Sequence, residues 1–242
     1  MSSSNIQLAC AGSVTQVAQL YSRAGRVHIH PALDAESAQL AYRSLAEEVP
    51  WQLHLNDEGK SYDLAQEQVR AMPATTRSML FDRVHANART GFQYFFDNFP
   101  LSDAHAANQH MNLFAMRVFE FLNSPQFLGF VRRVTGREDI AHADAQATAY
   151  RGGHFLTRHD DTAPGKGRIA AYVLNLTPQW RTDWGGILNF LDGDGHVVEG
   201  YTPVFNTLNL FKVPQPHSVS YVTPFAAGAR YSISGWLRSA VR

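Results

Sequence analysis

The 242-residue chain lacks several features that would assign it to a class at once. It has one cysteine, Cys10, which excludes an internal disulfide framework and is typical of a reducing compartment. No apolar run reaches the roughly 18 residues of a membrane span, and no basic segment precedes an apolar core at the N-terminus. Lys plus Arg and Asp plus Glu balance at 21 each, so no overall field favours nucleic acid or an anionic membrane. We expect a cytoplasmic protein that binds neither a membrane nor, directly, nucleic acid.

The first part of the chain has helical patterns in a composition that is 45% hydrophobic, enough to build a sizeable core. Apolar residues at helical spacing follow the capping residue Asp34, and similar patterns cover 74–88 and 106–123. Ser124 and Pro125 then form a cap and first-turn pair, and Gly136 ends that helix. The segments 51–56 and 92–99 are candidate strands between these helices.

From about residue 140 the pattern changes to short apolar or alternating runs separated by turn residues. Such spacing is the signature of a β-sandwich or barrel. We predict an α+β fold, a double-stranded β-helix (jelly roll) core with packed N-terminal helices. An N-terminal extension is expected over 1–25. A single domain follows over 26–242, made of a helical layer (26–137) and the jelly-roll core (138–242).

The stretch HFLTRHDD, residues 154–161, is the first candidate site. If it is a strand, His159 and Asp161 share one face, and Asp160 faces the other way. Two histidines and one carboxylate form a facial triad that leaves sites open on Fe(II). The pair alone is a weak signal, because His142 and Asp144 have the same spacing.

Support comes from the C-terminal region. His217 opens a strand 56 residues after Asp161, and a histidine on an adjacent strand of a small barrel can meet the first pair inside it. Arg230 follows 13 residues later. An inward-facing arginine is costly to bury unless it meets an anion, and a dicarboxylate would supply one.

In this order the motifs resemble the 2-oxoglutarate and Fe(II) dependent dioxygenases, in their prolyl 4-hydroxylase-like branch. The resemblance runs from about Phe95 to Leu237 through AYRGGHFLTRHDD, GRIAAYVLNL, WGGILNFL, PQPHSV and RYSISGW. The likeness is to ribosomal-protein prolyl hydroxylases and their bacterial relatives. It implies Fe(II), 2-oxoglutarate as cosubstrate, O2, and stimulation by ascorbate.

The resemblance also implies roles for individual residues. The metal ligands and catalytic residues would be His159, Asp161 and His217. The cosubstrate would be held by Arg230, assisted by Ser232 and Tyr172, in a pocket that Tyr150 and Leu188 line, with Trp236 nearby. A carboxylate at Asp161 argues for hydroxylation, since halogenating members have a small residue there.

The substrate implied by the resemblance is a prolyl residue in a protein or peptide, such as a ribosomal or translation protein. A free amino acid or other small metabolite is an alternative within the enzyme class, and a jelly-roll protein that binds a metal or ligand without turnover is another. Three further residues are expected to have structural roles: His142 and Asp144 in the fold, and His154 at a surface or strand edge.

Overall fold

The computed structural model describes residues 6–10 and 14–240 of the chain. In this part of the chain all α-helices precede residue 136. They are α1 (Val14–Ala24), α2 (Ala35–Arg43), α3 (Gln66–Ala71), α4 (Ala74–Asn87), α5 (Leu101–Ala106), α6 (Phe114–Leu122) and α7 (Pro125–Thr135).

The strands dominate the second half of the chain, as the sequence predicts. They are β1 (Arg26–Ile29), β2 (Gln52–Asp57), β3 (Lys60–Ala65), β4 (Tyr94–Phe99), β5 (Ile140–Ala143), β6 (Gln146–Tyr150), β7 (Phe155–His159), β8 (Arg168–Asn175), β9 (Leu188–Leu191), β10 (Val197–Tyr201), β11 (Thr207–Lys212), β12 (His217–Val219) and β13 (Arg230–Ser239).

The strands form one antiparallel sheet in the order β1-β11-β8-β13-β6-β4-β7-β12-β9-β10. Strand β2 pairs with β3 and β4, and β5 pairs with β13. The first and last strands of this order, β1 and β10, lie close together. Arg26 of β1 forms an ion pair with Glu199 of β10, and the ring centroids of His28 and Tyr201 are 5.1 Å apart. The sheet therefore almost closes on itself, and the predicted jelly-roll core with packed helices is confirmed.

The helix boundaries follow the capping residues that the sequence offers. Asp34 accepts a hydrogen bond from the Ser37 backbone N–H, and Ser124 accepts one from that of Phe127. Gly136 ends α7 at φ 68°, in the left-handed region that glycine adopts without cost. The continuous helix predicted over 106–123 is wrong in its first half, because Asn108 and His110 have left-handed backbones (φ 54° each) that cannot continue a helix.

One large core joins the helical layer to one face of the sheet. Val17 and Tyr21 of α1 belong to it, so a helix of the predicted 1–25 extension packs with the domain. The opposite face of β8 lines a cavity with Leu188 and Phe211. None of the helices in the described residues has the length and apolar character needed to cross a membrane.

Candidate active site

Two paired strands bring the predicted metal ligands together. Strand β7 ends at His159, and His217, the first residue of β12, lies directly opposite it in the register. Asp161 follows two residues after β7 and has a left-handed backbone, with φ 65°. Its carboxylate oxygens lie 3.5 Å from Nε2 of His159 and 3.5 Å from Nε2 of His217. One ligand atom from each residue lies within 4.8 Å of the others, which is the size of a metal site.

The backbone fixes both imidazoles in the orientation that a metal needs. Nδ1 of His159 lies 3.0 Å from the Thr157 carbonyl oxygen, and Nδ1 of His217 lies 2.8 Å from that of Gln215. A carbonyl can only accept, so each Nδ1 carries the proton and donates. In the neutral ring this leaves the lone pair on Nε2, which points to the shared centre.

The electrostatics keep one imidazole neutral. His217 is 4% exposed, and burial, together with the neighbouring His159, lowers its pKa to about 4. A neutral imidazole is the form that binds a metal. Asp160 is exposed and accepts a hydrogen bond from the Thr162 N–H, so it braces the loop on the outside, as predicted.

Arg230 is buried in the same cavity. It is 2% exposed on β13, and within the described residues its Nε has no hydrogen-bond partner. Burial lowers the pKa of its guanidinium, and the nearby Tyr150 opposes this shift. Tyr150 lies opposite Arg230 on β6, with 5.2 Å between Cζ and the ring centroid, and burial raises the pKa of its phenol. A buried cation without a carboxylate partner needs an anion from outside the chain.

Ser232 and Leu188 also border the cavity, as predicted. Ser232 lies two residues from Arg230 on the same face of β13, and its Oγ is 2.8 Å from Oγ1 of Thr148. Leu188 is 2% exposed and packs in one apolar cluster with Phe190 and Phe211, of which Phe211 also lines the cavity. The roles of these residues in cosubstrate binding stay predictions.

Tyr172 is among the residues that border the cavity, but its ring and hydroxyl pack on the opposite face of β8, so its role in cosubstrate binding stays a prediction. Side chains alternate along β8, and Ala171 and Val173 take the inner face. The Tyr172 ring packs in the helical layer, 6.3 Å from the ring of Phe127, and its hydroxyl donates a 2.7 Å hydrogen bond to the Asp144 carbonyl oxygen. Among the predicted residues, the phenol beside Arg230 is that of Tyr150.

The other sequence candidates lie outside the metal site. Asp144 accepts from the Trp236 N–H at 2.7 Å and pairs with Arg238 at 3.2 Å, a structural role as predicted. His154 is not at the surface: it is 7% exposed and lies edge-on to Phe95, which corrects the sequence prediction.

Several cavity residues were not predicted, and three of them show why. Thr148 could have been found from alternation, since it lies two residues before Tyr150 on β6. Phe96 stacks on Tyr150 at 5.0 Å between centroids, and no motif marks it. Val173 faces the cavity next to the residue that was chosen.

The residues of the cavity fit a bound Fe(II) ion together with a dicarboxylate. Two Nε2 lone pairs and one carboxylate are a donor set for Fe(II) that leaves positions open. The unpartnered Nε of buried Arg230 in the same cavity fits the far carboxylate of a dicarboxylate such as 2-oxoglutarate.

Comparisons with known proteins agree with this geometry. Residues 145–238 match the family model described as the 2OG-Fe(II) oxygenase superfamily. The mouse protein named prolyl 3-hydroxylase OGFOD1 is 33% identical over 117 residues, 46% of this chain and 21% of that protein. Prolyl 3,4-dihydroxylase OGFOD1 of Ostreococcus tauri is 33% identical over 139 residues, 52% of this chain and 27% of that protein. The chain thus spans less than a third of these curated relatives.

The fold has solved counterparts. A prolyl hydroxylase from Trichoplax adhaerens, in complex with a peptide fragment of the hypoxia inducible factor oxygen degradation domain, superimposes with a TM-score of 0.61 at 16% identity. The match covers 93% of this chain and 89% of that one. The triad and the buried arginine thus lie within residues 145–238, the segment that is similar to the 2OG-Fe(II) oxygenase superfamily. Over about half of its length the chain is also similar to proteins named as prolyl hydroxylases.

Proposed function

We propose that the protein is an Fe(II)- and 2-oxoglutarate-dependent hydroxylase of a prolyl residue in a protein substrate. One observation carries the proposal: three ligand atoms within 4.8 Å of one another share a cavity with a buried arginine that lacks a partner among the described residues. A protein that only bound a metal would have no use for this second, anion-seeking group.

His159, Asp161 and His217 would hold the iron, and Arg230 would hold the far carboxylate of 2-oxoglutarate, assisted by Ser232. When bound, iron and 2-oxoglutarate with dioxygen supply the oxidation, in which the cosubstrate becomes succinate and carbon dioxide and one oxygen atom enters a C–H bond of the substrate.

The chain's own residues prepare the site for this chemistry. The Thr157 and Gln215 carbonyls fix the imidazole tautomers, so no ring has to turn when a metal arrives. Leu188 and Phe211 form an apolar wall that excludes water and strengthens charge pairing inside the cavity.

The substrate class rests on the relatives. Two curated relatives are named as prolyl hydroxylases, and the Trichoplax structure holds a peptide. A hydroxylase of a free amino acid or small metabolite is the alternative within the same chemistry. Comparing host proteomes with and without the gene for a mass increase of one oxygen atom on proline separates the two. A changed metabolite with an unchanged proteome would favour the alternative.

The reaction is tested by succinate formation from 2-oxoglutarate with Fe(II) and ascorbate. We expect His159→Ala to abolish turnover. His142→Ala is the matched control, because His142 has the same His-x-Asp spacing but lies on β5 outside the cavity lining. Metal binding by the wild-type protein without any 2-oxoglutarate affinity would favour a non-catalytic binder.

Two broader expectations also belong to this proposal. The helical layer (26–137) and the jelly roll (138–242) would act as one domain, because one apolar core includes residues of both. A single cooperative unfolding transition would support this, and two separate transitions would contradict it. The single cysteine favours a cytoplasmic location, which fractionation of host cells can test.

A further inference from the structure

The loop of residues 160–167 joins β7 to β8 and carries Asp161. Arg168, the first residue of β8, contacts both this loop and the cavity wall. Its Nη1 donates a 3.0 Å hydrogen bond to the backbone carbonyl oxygen of Asp161. Its guanidinium lies flat over the Trp236 ring, with 3.5 Å between Cζ and the ring centroid. Trp236 lines the cavity, so one side chain connects a predicted metal ligand to the wall beside it.

The backbone of Asp161 explains why such a contact matters. At φ 65° it has a left-handed conformation that residues with a Cβ rarely adopt and that the surroundings must hold in place. The carbonyl that Arg168 binds belongs to this residue, so the hydrogen bond fixes the direction in which the chain leaves the site. The carboxylate of Asp161 projects from the same Cα toward His159 and His217.

The far end of the loop is anchored separately, by the end of β13. Arg238 Nε donates a 2.7 Å hydrogen bond to the Lys166 carbonyl oxygen, and the Ser239 N–H donates one of 2.9 Å to that of Gly167. At the beginning of the loop, Asp160 accepts hydrogen bonds from the Thr162 and Gln215 backbone N–H groups, and Arg168 binds the carbonyl of Asp161 itself. Losing Arg168 would remove the contact on the ligand-bearing residue and leave the far end of the loop fixed.

Charge and position make opposite predictions for Arg168. Its guanidinium is a cation next to a site for a divalent cation, with Asp161, Asp144 and Arg238 as the charged groups around it. By Coulomb repulsion alone, removing Arg168 should strengthen metal binding. If its main effect is to hold Asp161, removing it should weaken metal binding. The direction in which metal affinity changes therefore distinguishes the Coulombic effect of Arg168 from its positioning effect.

We infer that Arg168 is a positioning residue for the metal site, which holds Asp161 through its carbonyl and braces that contact on the face of Trp236. The inference rests on the proposed metal site but not on turnover. Contacts that orient metal ligands are typically worth about 10- to 100-fold in metal affinity. Since this contact acts on the ligand's backbone, we expect Arg168→Met to weaken metal binding about tenfold, at the lower end of that range.

The test is calorimetric titration of the metal-free protein with Co(II), a redox-stable probe that needs no turnover. Arg158→Met is the matched control. Arg158 is an exposed arginine next to His159, so this variant removes the same charge near the site but no contact with Asp161. We expect the Arg158 variant to bind Co(II) as tightly as wild type or slightly more tightly. Co(II) binding by Arg168→Met at wild-type strength or tighter would overturn the inference.

Arg168→Lys decides the matter if the methionine variant does not fold. Lysine keeps the charge but cannot stack a planar guanidinium on Trp236 while donating to the carbonyl. We expect a loss of a few-fold, and unchanged affinity in this variant would overturn the inference. Failure of the proposed metal site itself would look different, because wild type and His159→Ala would then bind Co(II) equally.

Discussion

Replacing Arg230 with methionine should separate cosubstrate binding from folding stability. The side chain is 2% exposed, and its Nε finds no partner in the described part of the chain, so the protein bears an uncompensated buried cation. Methionine fills much of the same volume without charge. Because removing an unpaired buried charge removes its desolvation cost, we expect the variant to unfold at the same temperature as wild type or higher.

The cost should appear when 2-oxoglutarate binds. Losing one partner of a buried, hydrogen-bonded charge pair costs about 2–5 kcal/mol. At about 1.4 kcal/mol per factor of ten, even the lower figure corresponds to roughly 30-fold weaker binding. The assay is titration of 2-oxoglutarate into the metal-loaded protein, with succinate formation at saturating cosubstrate as a second measurement.

Arg151→Met is the control for this prediction. Arg151 is adjacent to Tyr150 in sequence, but it pairs with Asp97 at 2.7 Å, and Asp97 is 3% exposed. Its loss leaves a buried carboxylate whose side-chain partner in the described part of the chain is Gln66 alone, so stability should fall by about 1–3 kcal/mol while 2-oxoglutarate affinity stays unchanged. Wild-type cosubstrate affinity in Arg230→Met would refute the reasoning.

Three further predictions concern stability and are measured by urea denaturation. Tyr172→Phe removes the hydrogen bond to the Asp144 carbonyl and should cost about 1 kcal/mol without changing 2-oxoglutarate affinity; a large loss of affinity would instead support a direct contact with the cosubstrate. Ser124→Ala removes the cap of α7 and should cost about 1 kcal/mol, and an unchanged midpoint would argue against the cap. Gly235→Ala places a Cβ 2.0 Å from the Asp144 carbonyl oxygen, so β13 must shift and stability should fall by more than about 2 kcal/mol; near-neutral behaviour would mean that this strand yields easily.

The candidate metal ligands could be chosen from the sequence because residue type and order carry the chemistry. His159 and Asp161 are close in the chain, and His217 could be chosen once the motifs resembled a known order. Their meeting depends on the register that places His217 opposite His159, and no local pattern encodes that pairing.

The side-chain placements that the sequence could not give have a common physical cause. Strand β8 is buried on both faces, so its sequence, RIAAYVLN, does not alternate and cannot say which face Tyr172 takes. A strand with one polar face would have settled the point. His154 was misjudged for a similar reason, since its burial against Phe95 comes from pairing between β4 and β7.

Arg168 could not have been found from the sequence at all. Its contact with Asp161 spans a loop with a left-handed residue at one end and an anchored carbonyl at the other. Propensity describes single residues, whereas this contact exists only when both ends of the loop are fixed by β7 and β13.

The charges of the cavity lead to a last consequence. Asp161 and Arg230 contribute one formal charge of each sign, and both line the same cavity. A divalent metal alone would leave that space strongly positive, and a dicarboxylate alone would leave it strongly negative. With both bound the formal charges cancel, and charge pairing in an apolar surrounding is strong. Each ligand should therefore strengthen the binding of the other. By thermodynamic linkage the two enhancements must be equal. Titrations should show that 2-oxoglutarate raises the affinity for Co(II) by the same factor by which Co(II) raises the affinity for 2-oxoglutarate.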